Sequence, residues 1–118
     1  VSAEIHARAT EGFDNWLRGI ESALSHGSHL VGNEVTIADV CFACEVTLFS
    51  RERAALWQLD QIGCAPVMAH WETRYPLAAA HYAALCEHPS FAPDMQTYLG
   101  KLNEDIQRAK ERMEEAQV

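Results

Sequence analysis

Residues that could do chemistry by type and spacing cluster in one stretch, GNEVTIADVCFACEVTLF, from Gly32 to Phe49. Cys41 and Cys44 stand three apart, a spacing at which two thiolates can share a metal ion or cycle to a disulfide. A zinc site needs further ligands, yet the sequence has no second Cys-x-x-Cys and no histidine pair four apart, and Cys64 and Cys86 are isolated. Both Cys41 and Cys44 fall well inside an apolar run, away from a helix N-terminus where a thiolate is stabilised, so core packing is the expected role. His26 and His29 flank a Gly27-Ser28 loop, and His70, His81 and His88 lie on separate turns. They are expected to be solvated or hydrogen-bonded, with no metal ligated.

Asp39 is the only charge between Glu34 and Glu45 and could be taken for a catalytic carboxylate. No acid or base stands near it in the sequence, and its spacing from Thr36 gives it other work. A threonine three residues before an acid is a capping box: the Thr36 hydroxyl accepts from the backbone N–H three residues on, and Asp39 accepts from the Thr36 N–H. Val35 and Val40 occupy the positions of a hydrophobic staple across that box. The insurance is needed because Ile37, Val40, Cys41, Phe42, Ala43, Cys44, Val46, Leu48 and Phe49 make a helix apolar nearly all round. Such a helix is expected to be buried on most sides, where an unpaired N–H costs about 1–3 kcal/mol. The candidate residues here are therefore structural: Val35, Thr36, Asp39 and Val40. No catalytic, cofactor-binding or metal-ligating residue stands out.

The elements around this stretch read as helices too. Ile5, Ala9, Phe13, Trp16, Leu17, Ile20 and Leu24 recur with a period near 3.6. Gly12 and Gly19 interrupt that pattern at a cost of about 1 kcal/mol each relative to Ala, so close packing against a neighbour is expected at both. Met95, Tyr98, Leu99, Leu102, Ile106, Ala109 and Met113 form a second long stripe, opened by Pro93 and Asp94, with the final RAKERMEEAQV fraying. Pro66 and Pro76 can each open a helix, which predicts short helices over 66–74 and 76–87, the second ended by His88-Pro89. No window alternates like a strand. The prediction is an all-α bundle of about five helices in one domain, 1–118.

The 118 residues, 48% of them hydrophobic and 22% charged, suit one globular core. Nine Lys and Arg against 17 Asp and Glu leave a net charge of −8, and no basic run opposes that average, which argues against a nucleic-acid partner. No stretch approaches the roughly 20 apolar residues that span a bilayer, and the first residues lack the pattern of a secretory signal. A cytoplasmic, reducing compartment with free thiols is expected. A start at Val1 fits either removal of an initiator methionine or a cut in a longer chain.

The pattern HLVGNEVTIADVCFACEV resembles the start of the core helix in the C-terminal helical domain of glutathione transferases. RYPLAAAHYAALCEHPSF, Arg74 to Phe91, is similar to the next helix of that domain, a Tyr-Pro opening followed by an apolar helix and Pro-x-Phe. The resemblance implies a parent protein in which glutathione is the co-substrate, held on an N-terminal thioredoxin-like domain that also stabilises the thiolate. It implies a hydrophobic wall of the electrophile pocket, and no chemical role, for this half. The family's helical domain usually opens with two long helices before the capped one, whereas the 35 residues preceding Thr36 suffice for one. The missing thioredoxin-like domain is thus the implied partner, with a possible homodimer of the parent, and an exposed apolar patch is expected where the absent domain docks. The alternative is a non-catalytic interaction module, as such domains are in translation-factor and tRNA-synthetase assemblies.

Overall fold

The computed structural model describes residues 2–117 and is all-α, with no strand among the described residues. Helix α1 spans Ala3–Leu24, with Ser2 Oγ accepting from the Ile5 N–H at 3.4 Å. Helix α2, Ile37–Phe49, runs into a 3-10 turn, Ser50–Ala54. Short helices α3 (Leu56–Gln61) and α4 (Trp71–Arg74) lead to α5, Pro76–Glu87, and to the long α6, Ala92–Ala116. Among the described residues, six α-helices and one 3-10 turn thus stand where about five helices were expected.

The core lies where α1, α2 and α5 meet. Phe13 and Leu17 of α1, Phe42 and Val46 of α2, and Ala78 and Leu85 of α5 are buried there, with Trp71 and Tyr75 of the α4 segment closing one end. Aromatic rings tie α1 to α2: Phe13 and Phe49 are 4.7 Å apart by centroid, Trp16 and Phe42 5.8 Å. The apolar face of α6 packs on the 3-10 turn and on α5, burying Met95 and Leu102.

Two carboxylates from distant parts of the chain anchor segments whose own sequence has no cap. Tyr75 gives α5 no side-chain cap and Pro76 has no N–H, so the next donors go to Glu21 on α1, whose oxygens accept from Leu77 N at 2.9 Å and Ala78 N at 2.8 Å. Glu52, in the 3-10 turn, likewise accepts from Val67 N at 2.6 Å and Met68 N at 2.8 Å. Charge-assisted bonds of this kind are about twice as strong as neutral ones. Arg74 Nη1 meets Asp14 Oδ1 at 2.5 Å and adds a third tie, from α4 to α1.

Several expectations need correction. No helix covers 66–74: residues 66–70 form turns and α4 holds only Trp71–Arg74. Pro66 opens a turn in which Ala69 N donates to Pro66 O at 3.1 Å, and His70, at φ 55°, takes the left-handed conformation that a helix cannot continue through. The end of α6 does not fray within the described residues; the helix continues to Ala116 and Met113 is half-buried. Gly12 and Gly19 meet no close neighbour, since a Cβ at either would find nothing within 4 Å.

Candidate functional site

The N-terminus of α2 is built from the residues of the box. Thr36 N donates to Asp39 Oδ2 at 2.8 Å, and the Thr36 hydroxyl accepts most directly from Ala38 N, at 3.2 Å, one residue earlier than expected. The box is complete in both directions. Val35 packs against the core and Val40 is half-buried.

Asp39 has a partner that its sequence neighbourhood does not contain. His81, on α5, donates from Nε2 to Asp39 Oδ1 at 2.7 Å, and the aspartate side chain is fully buried. Both carboxylate oxygens are thereby used, one to cap α2 and the other to join α2 to α5. Burial opposes ionisation of Asp39, but the Thr36 N–H and His81 outweigh it and hold the carboxyl below its ordinary value. The His81 ring stacks on Phe42 at 5.6 Å and meets the edge of His29 at 6.0 Å. An Asp-His pair is half of a nucleophile-activating set, but this ring lines none of the grooves described below. The geometry is that of a buried strut. The sequence signal that could have found it is the inward stripe of α5, Ala78, His81 and Leu85, in which the histidine replaces an apolar residue at helical spacing.

A second polar link joins the same helices further along. Thr47 donates to Ala43 O at 2.7 Å, so its one proton is committed and the Tyr82 hydroxyl donates to Thr47 Oγ1 at 2.7 Å. Burial pushes the Tyr82 phenol up to about 12 and raises the Cys86 thiol beside it, so neither is a poised nucleophile near neutral pH.

The opposite side of α2 is open. Ile37 is 75% exposed and Leu48 56%, and Cys41 and Cys44 between them are exposed and free. Core packing for these two cysteines is therefore wrong: α1 and α5 cover part of α2, and nothing in the described chain covers the stripe 37, 41, 44 and 48. Beside that stripe an apolar groove of about 390 Å³ separates α1 from α2, lined by Trp16, Ile20, Ala23, Ala38, Cys41 and Phe42 among others. A smaller hollow of about 230 Å³, reaching Gly12 and Phe49, shares Trp16 and Glu45 with it. Among the described residues no three His, Cys, Asp or Glu converge in a metal-holding group. The open side can bury apolar surface. It offers Cys41, Cys44 and Glu45 as its titratable groups and no acid-base pair.

An apolar helix, doubly capped at its start and strapped to the following helix inside an all-α bundle, is a fold class that many proteins share. The particular family is shown by comparison: the family model of the glutathione S-transferase C-terminal domain matches residues 3–84, and the chain belongs to that family. The match runs from the start of α1 through most of α5 and leaves α6 outside it. No curated protein and no solved structure matches the chain. Among the described residues no helix is long and apolar enough to cross a membrane.

Proposed function

We propose that this chain is the helical half of a glutathione transferase, and that the open side of α2 with the α1–α2 groove is where the absent parts of the parent pack. The observation that carries the reading is the apolar stripe of Ile37, Cys41, Cys44 and Leu48, bordering a groove floored by Trp16 and Phe42. A soluble domain seldom leaves such a continuous strip to water unless something covers it. The first occupant is a helix preceding α1. Gly12, with open space over its Cβ position, lets a backbone approach closely.

In the parent, a thioredoxin-like domain holds glutathione and lowers its thiol pKa, and the thiolate attacks a soft electrophile, forming a C–S bond as the leaving group departs. This chain contributes scaffold and an apolar wall for that electrophile, in a cytoplasmic enzyme that pairs as a homodimer. None of its own side chains enters the bond-making step.

The test is the intact mass of the endogenous protein, captured with an antibody to this chain, together with thiol labelling. A species heavier by roughly a hundred residues or more at the N-terminal side, in which Cys41 and Cys44 are shielded from alkylation while the isolated chain reacts, supports the reading. A native species of 13.2 kDa overturns it in favour of a stand-alone interaction module. Equal labelling of Cys41 and Cys44 in a heavier parent would remove the stripe as the docking face.

A further inference from the structure

The second half of α6 carries an apolar stripe that the chain covers only in part. No described residue of the helix after Leu102 is buried, yet Ile106, Ala109 and Met113 recur at helical spacing and are half-buried. They form one wall of a groove of about 380 Å³ whose other wall is the start of α3 and the residues just before it. On that wall Leu56 is 46% exposed and Trp57 40%. A helix is stabilised in a protein mainly by the packing of its apolar face. Here that face has only the six-residue α3 beside it, and the α6 wall lies outside the family match.

The rim of this groove is basic in an acidic chain. Arg53, Lys110 and Arg112 line it, and no Asp or Glu does. Arg8, Arg51, Arg74 and Arg108 each lie within salt-bridge distance of a carboxylate. Of the five cations with no carboxylate so placed among the described residues, three line this one groove. The contrast holds within α6 itself: Arg108 meets Glu104 at 3.8 Å and Asp105 at 3.6 Å, whereas Lys110 and Arg112, at the groove, meet neither. The helix dipole does not account for them, because the last turn of α6 holds no basic residue.

We propose that the α3–α6 groove docks an acidic amphipathic helix of a partner protein, with its apolar stripe on Trp57, Leu56 and Met113 and its carboxylates against Arg53, Lys110 and Arg112. Two helices wall the groove, and a third laid between them extends the same ridges-into-grooves packing. An extended segment finds no sheet edge to join, since the described residues contain no strand. Charge selects the partner, because a guanidinium takes a carboxylate through two parallel N–H bonds. Nucleic acid would meet the same cations, but a net charge of −8 repels a continuous phosphate backbone, whereas a helix brings a few carboxylates and an apolar face for Trp57. The α3–α6 groove shares no residue with the α1–α2 groove, so the inference stands apart from the transferase reading.

The probe is a dye-labelled designed peptide of about 18 residues with Leu at every third or fourth position and Glu between, and its counterpart carries Lys for each Glu. Fluorescence anisotropy with the 118-residue chain is expected to show saturable one-to-one binding of the acidic peptide, weaker in high salt. Arg53→Gln with Arg112→Gln should weaken it about tenfold, and Arg53→Glu with Arg112→Glu should invert the preference toward the Lys peptide. Trp57→Ala should weaken binding, whereas Trp16→Phe leaves it unchanged. The replaced arginines and Trp57 are exposed, and circular dichroism verifies that each variant is folded. Equal affinity of the unaltered chain for the Lys peptide, full affinity in the folded Gln double variant, or binding that follows Trp16 overturns the proposal. So does the absence of saturable binding. A single-stranded oligonucleotide that displaces the labelled peptide at lower concentration than unlabelled peptide does would assign the groove to nucleic acid instead.

Discussion

Along one side of α2, Phe42, Ala43, Val46 and Thr47 are buried, while along the other Ile37, Cys41, Cys44 and Leu48 face water. Both sides are made of similar residues, and a hydropathy profile does not separate them. The covered side carries every polar tie that leaves the helix for α5: Asp39 to His81 and Thr47 to Tyr82. The open side carries none. Apolar residues mark what can be buried, whereas cross-helix hydrogen bonds mark what has already found its partner within the chain.

The sharpest way to break that contrast is to truncate matched residues on the two sides. Phe42→Ala is expected to lower stability by about 3–5 kcal/mol, through lost burial and the cavity left behind. Leu48→Ser on the open side is expected to stay within about 0.5 kcal/mol of the parent chain. Urea denaturation of both variants checks this, and comparable losses would mean that the open stripe is covered within the chain itself.

Asp39→Ala is next in size, at about 2–4 kcal/mol. Loss of the cap accounts for about 1 kcal/mol of that, and the rest is the buried His81 N–H left without its acceptor. His81→Ala should recover part of the loss when combined with Asp39→Ala, since the orphaned donor is then gone; a double-mutant cycle measures the coupling. Fully additive losses would show that the strut contributes nothing beyond the cap.

The same pair sets a pH dependence. The folded state holds the Asp39 carboxyl below its ordinary value, about 3.9. Its stabilising contribution is therefore fully present above about pH 4 and is lost as pH falls through the lower, folded-state value. The stability gap between the parent chain and Asp39→Asn should narrow over that acid range. A gap that widens on acidification would reverse the sign argued here.

A modest gain is expected at Gly19, which faces open space within α1. Gly19→Ala should raise stability by about 1 kcal/mol through helix propensity alone. The thermal midpoint of the isolated chain checks it, and a loss would mean that another part of the chain packs closely on Gly19.

Much of the fold was legible because helical information is local. The Thr36–Asp39 box lies within four residues, and the stripes of α1 and α6 repeat every three or four. Residues 66–74 misled because Pro66 is compatible with a helix start, and what interrupts the helix is the left-handed backbone of His70, which no local pattern marks. Cys41 and Cys44 misled for a different reason: the sequence of α2 states its apolar content and is silent on how many neighbours it has.

From the residues alone came an all-α chain, a capped apolar helix, an acidic surface and the resemblance to the glutathione transferase helical domain. Capping, periodicity and net charge depend on near neighbours or on sums over composition, so a linear reading reaches them. Tertiary structure decided that Asp39 serves two helices, that Glu21 and Glu52 cap segments far from themselves, and that one side of α2 stays open. It also gathered Arg53, Lys110 and Arg112 around one groove although some sixty residues separate Arg53 from the other two. These are matters of which distant groups meet, and that is settled by the packing of helices, whose angles and neighbours no single segment encodes.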